Sequence, residues 1–198
     1  MHRIFLFFFF PICLLVLSCN SSYMPKPRGY FRIDFPEKKY SKFDTTFPFT
    51  FEYPVYSTIV ADQSKGAEPY WINIVYKPFN AQLHISFKVI QNNLQKYLED
   101  TRMLVNKHIP KANSITRREY SDPVQKVYGL IYEIKGSEAA SACQFYVTDS
   151  TDNFVRGALY FDLVPNNDSL APVIDFLKSD IEHMINTFKW KKGKNHLL

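Results

Sequence analysis

The side chains able to do chemistry are few in this chain, and their spacing excludes more classes than it admits. His84 falls in a strand pattern, His108 and His183 fall in helical patterns, and none has a second His at ligand spacing. Structural roles are therefore expected for all three, and no metal site. There is no glycine-rich phosphate loop, no nucleophile elbow and no CxxC pair, so neither catalytic residues nor a cofactor are expected. Asp149–Ser150–Thr151–Asp152–Asn153 clusters the oxygens a hard cation takes. The same residues suit a tight turn, which is the expectation here. Asn73 and Tyr76, with Arg156 and Gly157, are polar or small positions inside otherwise apolar strand patterns. A buried Arg156 would need a carboxylate partner, and with Asn73 and Tyr76 it would line a possible pocket. The other reading puts Arg156 at the sheet's end, facing water.

One thiol is placed for a definite reaction. Met1–His2–Arg3 is a short basic start, and an apolar run from Ile4 to Leu17 follows, interrupted only by Pro11. A membrane-spanning helix needs about 20 apolar residues, so the run reads as an export signal. It ends in Val16–Leu17–Ser18–Cys19, which resembles the lipobox of bacterial lipoproteins. The thiol takes the lipid, and the small Ser18 lets the peptidase reach the bond before Cys19. Residues 1–18 are thus expected to be removed, with cleavage after Ser18 and lipidation of Cys19. The alternative is an uncleaved anchor helix with an incidental Cys. Either way the remainder is expected outside the cytoplasm, where nucleic acid is no sensible partner. Loss of Cys13 and acylation of Cys19 leave Cys143 alone, so no internal disulfide is expected. An apolar strand pattern around Cys143 predicts buried packing.

What positions these groups is a core rich in rings: 17% of the residues are aromatic and 22% charged, which argues against disorder. After a tether over 19–24, a single domain is expected over 25–190, then a basic tail over 191–198. Of the +5 formal charge, much sits in Lys189, Lys191, Lys192 and Lys194. They would be solvated, or would touch anionic phospholipid beside a lipid anchor. Prolines and interleaved rings from Pro25 to Pro36 predict an extended segment with alternate rings tucked in. Two sets of four strands follow, each ended by a helix: 47–53, 56–60, 71–76 and 83–89, then 114–120, 124–135, 141–148 and 154–164. The first helix starts at Asn92 or Asn93, buries Leu94, Tyr97, Leu98, Thr101, Leu104, Val105 and His108, and stops at Pro110. The second is capped by Asp168 and carries an apolar stripe from Leu170 to Phe188, with Asp175, Asp180 and Glu182 on its solvated face. Short connections favour antiparallel pairing. The expected fold is α+β: a single domain with a mainly antiparallel β-sheet covered by two amphipathic helices.

Several stretches together carry a family resemblance. They are the lipobox, the run from Lys26 to Pro36, Tyr70–Trp71–Ile72–Asn73–Ile74, Thr148–Asp149–Ser150, the run from Phe154 to Phe161, and Pro165–Asn166–Asn167–Asp168–Ser169–Leu170–Ala171–Pro172–Val173. The chain resembles the gliding-motility lipoprotein GldD family of Bacteroidota over nearly its whole mature length. The resemblance implies a lipid-anchored envelope protein required for gliding and associated with the type IX secretion machinery. No catalytic activity attaches to the family, and only the lipid-bearing cysteine transfers, onto Cys19. The neutral Asn20–Ser21–Ser22–Tyr23 after it favours an anchor facing the periplasm, in the outer membrane. The expected role is a non-enzymatic assembly or scaffold component with other gliding and secretion proteins as partners, docked through Arg28, Tyr30, Phe31 and Arg32 or through the outer surface of the sheet. The alternative is a ligand-binding or enzymatic lipoprotein acting on an envelope component.

Overall fold

Periodicity in the sequence becomes ten strands and two helices in the computed structural model, which describes Gly29 and residues 32–191. The chain divides into two units, 1–32 and 33–198. Of the first, the described residues are Gly29 and Arg32, both exposed.

The second unit runs β1 (Tyr40–Phe43), β2 (Phe49–Pro54), β3 (Thr58–Ala61), β4 (Ile72–Tyr76), β5 (Ala81–Val89), α1 (Leu94–Asn106), β6 (Ser114–Asp122), β7 (Val127–Lys135), β8 (Ser141–Thr148), β9 (Asn153–Phe161), α2 (Asn167–Asn186) and β10 (Lys189–Trp190). Short 3-10 turns cover Lys77–Phe79 and Ile109–Lys111, the latter holding Pro110 where the first helix was expected to stop. Seven strands form one sheet in the order β3-β4-β5-β9-β8-β7-β6, with every neighbouring pair antiparallel. The α+β class read from the sequence is the class observed. One arrangement differs from the expectation of a single sheet: β2 leaves the main sheet and pairs with β1 and β10 in a three-stranded sheet. Its consecutive Phe49, Thr50 and Phe51 are all buried, so this strand is enclosed on both faces rather than half-solvated.

Strand alternation sends two sets of side chains to opposite faces of the large sheet. On one face Ile74, Leu83, Ile85, Phe87, Phe145 and Leu159 join Leu177, Ile181 and Ile185 of α2, together with Phe49 and Phe51 of the small sheet. Each such aliphatic side chain contributes roughly 1.5–3 kcal/mol by leaving water. On the other face α1 lays Val105 over Tyr132, Ile134 and Ala139. Gly157 is required where β9 passes Phe145, because a Cβ there would stand 2.1 Å from the buried ring. The second helix is capped two residues earlier than expected, by Asn166, whose side chain accepts from the Ser169 N–H. Ahead of α1, Asn93 turns backward to accept from the Gln91 N–H and caps no helical donor.

Residues 33–39 run without regular structure into β1. Ile33 and Phe35 pack against the main core, with the Phe35 ring stacked on Phe176 of α2 at 4.4 Å. Tyr30 and Phe31, the other rings expected to tuck in, lie outside the described residues.

Candidate functional site

Register decides which of the possible pocket residues meet. Asn73 pairs with His84, and Arg156 with Ser86, so Asn73, His84, Ser86 and Arg156 share the α1 face of the large sheet. Tyr76 stands three residues beyond Asn73 on β4 and therefore points the other way, where it is 1% exposed. The structure does not bring Tyr76 together with Asn73 and Arg156. Burial raises the Tyr76 hydroxyl well above the usual phenol range.

Arg156 lies mid-strand, neither at the sheet's end nor paired with a carboxylate among the described residues. Its Nη2 donates to Gln144 Oε1 at 2.6 Å, and Gln144 Nε2 stands 2.8 Å from His108 Nε2. The guanidinium can only donate, so it fixes which end of the fully buried Gln144 amide faces it. The amide nitrogen then donates to His108, which must accept there as a neutral ring. Burial lowers the His108 pKa, and the Arg156 charge lowers it further. Arg156, Gln144 and His108 thus form a relay that binds β9 and β8 to the end of α1. Asn73 Oδ1 and Arg156 Nε are buried without a partner among the described residues.

A second polar cluster was not anticipated. Asp180, expected on the solvated face of the last helix, is 1% exposed. It accepts from Lys38 Nζ at 2.5 Å, from the Tyr40 hydroxyl at 3.0 Å and from the Tyr56 hydroxyl. Lys38 also donates to the Phe176 carbonyl at 2.7 Å and lies 3.5 Å from the centroid of the Phe176 ring. Burial lowers the Lys38 pKa, an effect Asp180 opposes. The signal for this site was in the helix spacing: Asp180 is three residues from Leu177 and four from Met184, inside the apolar stripe. A carboxylate in such a stripe needs cations or hydroxyls to meet it. They come from Lys38 just before β1, from Tyr40 at its start and from Tyr56 in the turn after β2.

The oxygen-rich loop is a turn. Asp149 Oδ1 accepts from the backbone N–H groups of Thr151, Asp152 and Asn153 at 2.8–3.0 Å. Burial works to raise its carboxyl pKa, but these bonds together with the Asn153 side chain hold it below the usual range. Among the described residues no three His, Cys, Asp or Glu side chains are grouped to hold a metal. Cys143 is buried, and burial pushes its thiol up to about 12.

Among the features open to solvent on the described residues are two grooves and the outer edge of β6. An apolar groove of about 570 Å³ is lined by Ile33, Phe35, Tyr56, Phe79, Leu170 and Val173, among others. A second, of about 490 Å³, lies between the end of α1 and the last two strands of the large sheet. It holds Arg102, Arg117 and Tyr132 beside Val105, Ile109 and Ile115. β6 is the outer strand on that side.

The sequence-predicted processing and docking residues Ser18, Cys19, Arg28, Tyr30 and Phe31 lie outside the described residues, while Arg32 is described and exposed. No helix among the described residues is long and apolar enough to cross a membrane.

Comparison with known proteins adds three findings. No curated protein matches the chain. Among solved structures, the solution structure of cyanobacterial PsbP (CyanoP) from Synechocystis sp. is similar at 13% identity and a TM-score of 0.42, over 79% of this chain and 95% of that one. The family model for the gliding motility lipoprotein GldD matches residues 20–190, essentially everything after Cys19, and this chain belongs to that family.

Proposed function

We propose that this gliding-motility lipoprotein is held in the outer membrane by lipid on Cys19, after cleavage behind Ser18, and faces the periplasm. There it acts without catalysis, as an assembly or scaffold component docking other proteins of the gliding and type IX secretion machinery. The supporting observation is where the polar groups go. Asp180, the Arg156–Gln144–His108 relay and Asp149 each join one element of the fold to another. Among the described residues the open features include grooves and edge strands, which suit contact with a protein better than chemistry on a small molecule. A lipid anchor raises local concentration, so contacts of modest strength suffice.

Crosslinking in living cells, followed by identification of the captured proteins, tests the role. Capture of gliding or secretion components is expected, and their absence would refute it. Cys19→Ala should move the protein out of the membrane fraction. Charge reversal at Arg28 and Arg32, alongside alanine at Tyr30 and Phe31, tests the N-terminal segment. Stable protein with lost gliding means docking there, and lost protein means packing.

A further inference from the structure

We propose that the outer edge of β6 is a docking strand for an extended segment of another protein, one that carries an acidic residue two positions from an apolar one. This deepens the docking role proposed above by naming a surface and the chemistry of its partner.

The edge itself is the first observation. β6 is nine residues long and pairs only with β7 among the described residues, leaving one side of its backbone without a strand. Its central Thr116, Arg117, Arg118 and Glu119 are all exposed. An unpaired edge of this length is a template for an added strand.

The second observation is the groove on the α1 side of that edge. Ile115 and Arg117 point into it from β6, opposite Ile134 and Tyr132 of β7. Arg102 and the 57% exposed Ile109 reach it from the helix and the turn that follows. No carboxylate lines the groove, and neither Arg102 nor Arg117 has an ion-pair partner among the described residues. Both guanidiniums act on the Tyr132 hydroxyl, offsetting part of the rise that burial causes there. Charge on an edge strand ordinarily guards it against pairing. Guarding does not require a second arginine from another element, converging on the same apolar groove. On the opposite face Arg118 is already engaged by Glu182 at 2.5 Å.

Together these features fix a pattern. An added antiparallel strand sends every second side chain over the groove face. Its residue beside Ile115 should be apolar, the one beside Arg117 acidic, and the one beside Glu119 basic.

The test uses the full lipidated chain in detergent micelles. The probe is an acetylated, amidated threonine heptapeptide with lysine, glutamate and valine at its second, fourth and sixth positions. The expected result is slowed amide hydrogen exchange over residues 114–122, and binding about tenfold weaker after Arg102→Glu with Arg117→Glu. A peptide with lysine in place of its glutamate should not bind. If the charge reversal lowers the melting temperature, Arg102→Gln with Arg117→Gln replaces it. Unchanged exchange at β6, or equal affinity for the charge-reversed protein, overturns the proposal. So does displacement of the peptide by phosphatidylglycerol vesicles, which would make the arginines a lipid site. Failure here, with crosslinks to envelope partners intact in cells, would refute this surface and leave the docking role standing.

Discussion

Asp180→Ala is expected to be among the most damaging single substitutions in the domain. The carboxylate is fully buried and joins three donors from two distant stretches of chain, Lys38 and Tyr40 on one side and Tyr56 on the other. Removing one partner of a buried ion pair costs about 3–5 kcal/mol, because the other charge is left without compensation. Lys38 is 30% exposed and can recover some hydration, which places the expectation near the lower limit, about 3 kcal/mol. For a domain of this size each kcal/mol lowers the melting temperature by about 2–4 °C, so a fall of roughly 6–12 °C should follow. Circular dichroism during thermal and urea unfolding measures it directly. The companion Lys38→Met strands the carboxylate instead and should cost at least as much. If the two groups act as one unit, the double variant should be clearly less damaging than the sum of the singles. A change within about 1 kcal/mol for Asp180→Ala, or strict additivity, would refute the reasoning.

Three further outcomes follow from the geometry. Gly157→Ala should destabilise by roughly 1–3 kcal/mol through overpacking against Phe145, read from the urea midpoint; a neutral result would mean the ring moves aside freely. Cys143 should resist iodoacetamide at neutral pH in the folded protein and react on unfolding, since its thiol is both buried and pushed up to about 12. The His108 ring is held neutral in the fold, so the unfolded chain binds its proton more readily. Stability should be full above the free-histidine pKa of about 6.5 and fall as pH drops below it. Comparing urea midpoints between pH 7.5 and pH 5 for the native protein and His108→Gln measures this, and an equal loss in both would exclude His108 as the cause.

Much of the fold was legible because its signals are local. β4, β5 and β7 to β9 each alternate or run apolar within their own residues, and the bounds of β4 to β9 fall within a few positions of those expected. β1 and β10 were invisible for the opposite reason. Tyr40–Ser41–Lys42–Phe43 and Lys189–Trp190 have no pattern of their own, and both become strands only because β2 offers them a partner. For β10 that partner lies more than a hundred residues away. Asp180 was misplaced because acidic residues on helices are usually solvated. Its position within the stripe was readable, but the groups that meet it come from irregular chain, Lys38 and Tyr56, and from Tyr40 at the start of the patternless β1. Tyr76 shows a simpler oversight: an odd spacing along a strand separates two residues to opposite faces. The groove beside β6 could not be read at all, since which strand is outermost is a property of the whole sheet order.

The small sheet gathers both ends of the folded unit, because β1 and β10 flank the same strand, β2. Were the chain held by lipid on Cys19 as proposed, this would set the path of mechanical load. Tension drawn along the chain ahead of Ile33 meets Phe35 stacked on Phe176, then Lys38 held by Asp180, then β1 paired along β2. Force therefore enters through the longest helix and is shared with a strand buried on both faces. β6 closes the other sheet, which shares no strand with this path.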